Sequence, residues 1–62
     1  MNNAERAHIY DECLRESDNL QRQNSKIKSE NAGNIPPHLQ QKIHENEHKI
    51  AYLVKRLESL FI

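Results

Sequence analysis

The chain has 62 residues, with nine basic and nine acidic side chains that leave no formal net charge at pH 7. This length allows one small domain at most, and a domain of this size buries only about 60% of the surface of its unfolded chain. The single cysteine excludes an internal disulfide, and the charge balance lacks the basic excess that nucleic-acid-binding proteins usually carry. We therefore expect one domain, residues 1–62, that is stabilised by oligomerisation.

The amino-acid composition favours helices with long polar faces. Apolar residues make up 35% of the chain, which has one Gly, two Pro and no Trp. The first residues are polar, and no apolar run approaches the roughly 18 residues of a membrane span. We therefore expect neither a signal peptide nor contact with a membrane, and together with the lone cysteine this predicts a cytoplasmic protein.

The first predicted element is a helix over about residues 3–31. Asn2 and Glu5 have the spacing of a capping box, in which the first side chain caps the start of the helix. A heptad repeat follows, with an apolar series at the d positions and a more polar series at the a positions. The d series is Cys13, Leu20 and Ile27, and the a series is Tyr10, Ser17 and Asn24.

The residues that interrupt helices are concentrated at 32–36, which predicts the hinge of the domain. Gly33 can adopt the left-handed conformation that ends a helix. Pro36 and Pro37 restrict the residues before them to extended backbone. Pro37 also suits the first turn of a new helix, where an N–H would have no intrahelical partner. The chain is therefore predicted to reverse direction at this point.

The second predicted element is a helix over about residues 37–61, and its heptad repeat is clearer. Its a positions are Ile43, Ile50 and Leu57, and its d positions are Leu39, Asn46, Leu53 and Leu60. Two such helices joined by a short loop are expected to pack side by side in opposite directions. The predicted fold is thus all-α, an antiparallel two-helix hairpin.

The two heptad repeats can be aligned, because facing residues of an antiparallel hairpin have sequence numbers that add to a constant. The alignment that places Ile27 opposite Ile43 also gives the pairs Leu20–Ile50, Cys13–Leu57 and Tyr10–Leu60. It further predicts ion pairs along one edge, Glu16–Arg56 and Glu30–Lys42. Flanking charges of this kind select the partner helix in coiled coils.

The same alignment places Asn24 opposite Asn46. Side-chain amides can donate to and accept from each other, so the pair could form a polar layer in the core that fixes the register. The alternative is that both side chains face water near the loop.

One flank of the predicted hairpin carries apolar residues near the chain ends. We call this set the apolar stripe; it comprises Ala7, Leu14, Val54 and Phe61. A two-helix hairpin has no third element to cover the apolar stripe, and exposed apolar patches usually mark an interface. We predict a homodimer that closes into an antiparallel four-helix bundle, with Leu57 also at the interface. A helix of another protein is the alternative partner.

Residues 44–48 read H-E-N-E-H, which matches the H-E-x-x-H pattern that zinc peptidases carry on a helix. His44 and His48 lie four residues apart on one helix face, as zinc ligands would, but the heptad places that face in solvent. A catalytic zinc ion needs three protein ligands, and no third one follows at close spacing. We therefore predict no enzymatic activity and no cofactor, and we interpret metal binding by the two histidines as incidental.

The favoured function is a protein-interaction module that acts as an adaptor, inhibitor or assembly regulator on a larger protein target, as many phage- and plasmid-encoded chains do. Two helices in about 60 residues also resemble the plasmid Rop proteins in architecture, which implies an RNA-binding dimer. In that alternative Arg15, Arg22 and Lys26 would contact phosphates, although neighbouring acidic residues weaken the attraction and make nucleic acid the less favoured partner. A last alternative is a fragment of a longer coiled-coil protein.

Overall fold

The computed structural model describes residues 2–61, and Met1 and Ile62 lie outside the described part of the chain. Helix α1 spans Asn3–Glu30 and helix α2 spans Pro37–Ser59. Tyr10 near the start of α1 contacts Phe61 beyond the end of α2, so the helices run in opposite directions. The molecule is a rod with extents of 47 × 15 × 13 Å. The all-α helical hairpin predicted from the sequence is confirmed.

Both ends of α1 are closed by asparagine side chains. Asn2 Oδ1 accepts a hydrogen bond of 2.7 Å from the backbone N–H of Glu5, which satisfies one of the N–H groups left free at a helix start. At the other end the backbone N–H and the Nδ2 of Asn31 both donate to the carbonyl oxygen of Ile27, at 3.1 and 2.9 Å. Helix α1 therefore ends at Glu30, one residue before the predicted boundary.

The loop after α1 reverses the chain as its Gly and Pro residues predict. Gly33 has φ +93°, a conformation that L side chains rarely adopt. The backbone N–H of Asn34 donates to the carbonyl oxygen of Asn31 at 3.1 Å, which closes a tight turn around Gly33. Pro36 has extended ψ (150°), and Pro37 is the first residue of α2.

Helix α2 ends at Ser59, two residues before the predicted boundary. The backbone N–H groups of Leu60 and Phe61 donate to the carbonyl oxygens three residues earlier, those of Leu57 and Glu58, at 3.2 Å each. Bonds of this spacing tighten the last turn of many helices. The final turn keeps Leu60 buried while Phe61 stays exposed.

The core of the hairpin is a narrow apolar strip between the two helices. Leu53 of α2 packs with Cys13 and Leu20 of α1, and Ile9, Ile50 and Leu57 pack against this cluster. The buried apolar side chains among residues 2–61 are Cys13, Leu20, Ile43, Leu53 and Leu60. The heptad positions of all five were predicted to face the partner helix.

The first turns of α1 depart from the predicted heptad. Tyr10 was expected opposite Leu60 in the core, but it is 38% exposed and its ring packs edge-on against Phe61, 5.9 Å between centroids. Ile9 packs against the core cluster. The cause is geometric: a straight helix of 3.6 residues per turn drifts by about 20° per heptad. The inward direction therefore moves from Tyr10 towards Ile9.

The short contacts between ionisable side chains run along α1 rather than between the helices. Among residues 2–61, Asp18 forms an ion pair with Arg22, four residues later, and His8 contacts Glu12 at the same spacing. The predicted cross-helix pairs, Glu16–Arg56 and Glu30–Lys42, do not form in this part of the chain. Exposed ion pairs contribute at most about 1 kcal/mol, so long charged side chains gain little from one fixed geometry. The register is therefore held by contacts inside the seam.

Candidate interaction surface and histidine pair

Two asparagines form a polar layer across the seam. Asn46 of α2 is 0% exposed, and its Nδ2 donates to Asn24 Oδ1 of α1 at 2.9 Å. Asn24 Nδ2 in turn donates to the carbonyl oxygen of Ile43 at 3.3 Å, and Asn46 Nδ2 also lies 3.3 Å from Gln23 Oε1. The structure thus places both amides in the core, in contact with each other, rather than facing water.

The polar layer is not fully satisfied. Asn46 Oδ1 is buried and has no hydrogen-bond partner among residues 2–61. An unsatisfied buried acceptor costs about 1–3 kcal/mol, while a buried amide pair permits only one alignment of the helices. The layer therefore favours register over stability.

The apolar stripe lies open to solvent on one flank of the hairpin. Leu14 is 44% exposed, Val54 42% and Phe61 67%, and Ala7 is also exposed. Leu57, which the sequence also assigned to the interface, is half-buried and packs against the hairpin's own core. The four stripe residues are therefore the exposed part of the predicted interface, and a place for Leu57 in that interface stays a prediction.

A shallow groove extends the apolar stripe at the end of the rod that carries the chain ends. The groove is lined by Phe61 and, from α1, by Asn3, Arg6, Ala7 and Tyr10. The edge-to-face contact between Tyr10 and Phe61 holds both aromatic rings at the surface. Tyr and Phe are enriched in the buried cores of protein–protein interfaces, so this groove suits a docking surface.

The histidines of the H-E-N-E-H segment form a close pair on the surface of α2. Their Nε2 atoms are 3.2 Å apart, and the rings meet edge to face with 4.7 Å between centroids. The two histidines line a second shallow groove together with Glu47 and Ala51. Glu45, the acidic residue of the peptidase-like pattern, does not line this groove and accepts a hydrogen bond of 3.3 Å from Gln41 Nε2.

The pair has two histidine ligands, not the three that a catalytic zinc ion requires. Residues 2–61 contain no group of three or more His, Cys, Asp or Glu side chains that could hold a metal ion. His8 lies on α1 and pairs with Glu12 at 3.0 Å. The arrangement around His44 and His48 can therefore act as a two-point chelate.

The basic residues considered for RNA binding are exposed along α1. Arg22 Nε lies 3.0 Å from Asp18 Oδ2, so an acidic neighbour partly neutralises it. Arg15 and Lys26 are exposed on the same helix. Contact of these three side chains with phosphates stays a prediction.

Two features of these surfaces were missed at the sequence level. Ile9 was not assigned to the core, and Glu47 and Ala51 were not connected with the histidine pair. Glu47 lies three residues after His44 and Ala51 three residues after His48, a spacing that places side chains next to each other on a helix. This spacing is the sequence signal that indicates a groove beside the two histidines.

Comparisons of the chain with protein-family models, with curated proteins and with solved structures gave no match. Neither helix of residues 2–61 has the length and apolar character needed to cross a bilayer. Function is therefore inferred from the surfaces of the hairpin.

Proposed function

We propose that the chain is a non-enzymatic protein-interaction module whose hairpins pair through the apolar stripe into a homodimeric four-helix bundle. The supporting observation is that Leu14, Val54 and Phe61 are all exposed on one flank of a very small domain. Closed two-fold dimers are the commonest oligomers, and they bury the same patch of both copies. A second copy of the chain is thus the occupant that this surface fits.

The energetic reason is the size of the core. Five apolar side chains are buried in residues 2–61, whereas a domain of this length is only marginally stable by itself. Burying a large apolar side chain contributes about 1.5–3 kcal/mol. Covering Leu14, Val54 and Phe61 on both chains would therefore add stabilisation comparable with the few kcal/mol that such a small core supplies.

The polarity of the flank selects the orientation of the two hairpins. The apolar stripe occupies the half of the rod with the chain ends. On the same flank in the loop half, the residues seven and fourteen positions from Leu14 and Val54 are polar: Gln21, Lys28, Gln40 and Glu47. A two-fold axis parallel to the helices places apolar half on apolar half. A perpendicular axis with full overlap would place the apolar stripe against the polar half of the other chain. We therefore assign the parallel axis, with both loops at the same end of the bundle.

In this arrangement α1 of one chain packs against α2 of the other, and these neighbouring helices are antiparallel. Leu14 of one chain then faces Val54 of the other, and the small Ala7 faces the large Phe61. Alternation of small and large side chains lets opposing layers interdigitate. The outer faces of the bundle remain free for a larger protein target, and Tyr52, which is exposed on α2, provides an aromatic side chain there.

The dimer is tested by the double variant Leu14→Glu, Val54→Glu, studied beside the wild-type chain by sedimentation equilibrium. We expect the wild type to sediment as a dimer and the variant as a monomer, because four carboxylates would otherwise be buried in the bundle. The matched control is Asn19→Glu, Gln41→Glu, which adds the same charge at exposed positions outside the apolar stripe. A monomeric wild type, or a variant that stays dimeric, would refute the proposal.

A further inference from the structure

We infer that His44 and His48 form a chelating site for one divalent transition-metal ion of the Ni²⁺, Cu²⁺ and Zn²⁺ class on the surface of α2. The two ligands do not depend on the proposed dimer, because both histidines lie outside the apolar stripe; Glu47 beside them lies on the polar half of the flank that the dimer would cover. It also differs from a peptidase centre, since the protein supplies two ligands and the other coordination positions are left to water or an external group.

The distance between the two ring nitrogens fits a shared ion. Two nitrogens 3.2 Å apart, each about 2.0–2.1 Å from one ion, subtend an angle of roughly 100° at that ion. This angle lies between those of octahedral and tetrahedral coordination. Both rings are exposed, so small rotations of the side chains can aim the Nε2 lone pairs at a common point. The helix has therefore already brought the two ligands to chelating distance.

The surroundings of the pair also suit a cation. Ala51 is small and leaves the groove beside the rings open to solvent. Glu47 lines the same groove, so its carboxylate adds negative charge and can accept a hydrogen bond from water bound to the ion. Without metal, the two Nε2 atoms can share a hydrogen bond only when one Nε2 is protonated and donates and the other is unprotonated and accepts. A metal ion would use the lone pairs of both.

The chemistry of imidazole sets the expected selectivity. Neutral imidazole is a ligand for nickel, copper and zinc, whereas Mg²⁺ prefers oxygen ligands. For a site of fixed geometry, affinity rises from Ni²⁺ to Cu²⁺ and falls again at Zn²⁺. We therefore expect binding of all three ions, with Cu²⁺ the tightest, and no binding of Mg²⁺.

The experiment is a calorimetric titration of the intact chain with NiCl₂, with MgCl₂ as the negative control. It is followed by thermal unfolding with and without Ni²⁺. We expect one Ni²⁺ per chain and a higher unfolding midpoint, because an ion bound only by the folded helix stabilises it. His44→Ala and His48→Ala should each lower the affinity at least tenfold and abolish the rise of the midpoint. The matched control, His38→Ala, removes an exposed histidine of the same helix and should leave both unchanged.

Three results would overturn the inference. One is Ni²⁺ binding that survives His44→Ala or His48→Ala, since the ligands would then lie elsewhere. Another is a ratio of one ion to two chains, which would mean that an ion bridges copies rather than being chelated within one helix. The third is loss of binding in His38→Ala. A monomeric Leu14→Glu, Val54→Glu variant is evidence only about the dimer, and the Ni²⁺ titration can be interpreted whatever the oligomeric state of that variant.

Discussion

At the scale of single residues, the buried amide of Asn46 carries a cost that its neighbours do not remove. Its Nδ2 has two acceptors within 3.3 Å, while its Oδ1 has no partner among residues 2–61. Asn24 supplies the closer acceptor and also donates to the carbonyl oxygen of Ile43. The two asparagines therefore act as a coupled unit, and the effect of changing one depends on the other.

This coupling can be measured with leucine substitutions. Asn24→Leu alone leaves the Asn46 amide buried without its closer partner, which should lower the free energy of unfolding by about 1–3 kcal/mol. Asn24→Leu combined with Asn46→Leu removes the unsatisfied Oδ1 as well, so the double variant should be more stable than either single variant. Urea denaturation of all four proteins at one protein concentration gives the coupling energy. Additive losses would contradict the direct contact.

At the scale of elements, the loop between the helices depends on one backbone conformation. Gly33 has φ +93°, and a Cβ added there would meet no atom within 4 Å, so the only obstacle to a side chain is the backbone itself. Gly33→Ala should therefore lower the stability by about 1–2 kcal/mol through strain at positive φ. Asn34→Ala is the control, because Asn34 lies in the same turn with negative φ. Equal thermal midpoints for the two variants would contradict the prediction.

The elements were largely predictable because their signals are local. Asn2 caps α1, Gly33 adopts positive φ and Pro37 begins α2, each as its residue type requires. The errors occur where the geometry of the whole helix matters: the strict heptad misplaced Tyr10, because the repeat ignores the drift of a straight helix. The polar layer followed from aligning two repeats. The groove beside the histidines could not be predicted in this way, because the heptad repeat describes only the face that meets the partner helix.

At the scale of the whole molecule, the orientation of the proposed dimer has a direct geometric readout. A two-fold axis parallel to the helices keeps the two loops within roughly 20 Å, about two interhelical spacings. A perpendicular axis with full overlap separates the loops by about the 47 Å length of the rod. A spin label at residue 34, introduced as Asn34→Cys in a Cys13→Ser background, distinguishes the two by its dipolar distance. A distance near the rod length would refute the parallel axis.

The shortness of the loop has a consequence for how the chain acquires its structure. The short loop of residues 31–36 lets Asn24 and Asn46 meet after a small loss of chain entropy. Tyr10 and Phe61 meet only after the helical turns between them and the loop have paired. We therefore expect folding to nucleate beside the loop and helix pairing to spread from there towards the chain ends. We expect the Tyr10–Phe61 contact at that end to form last and to open first, so association of two copies would stabilise the part of the hairpin that unfolds most readily.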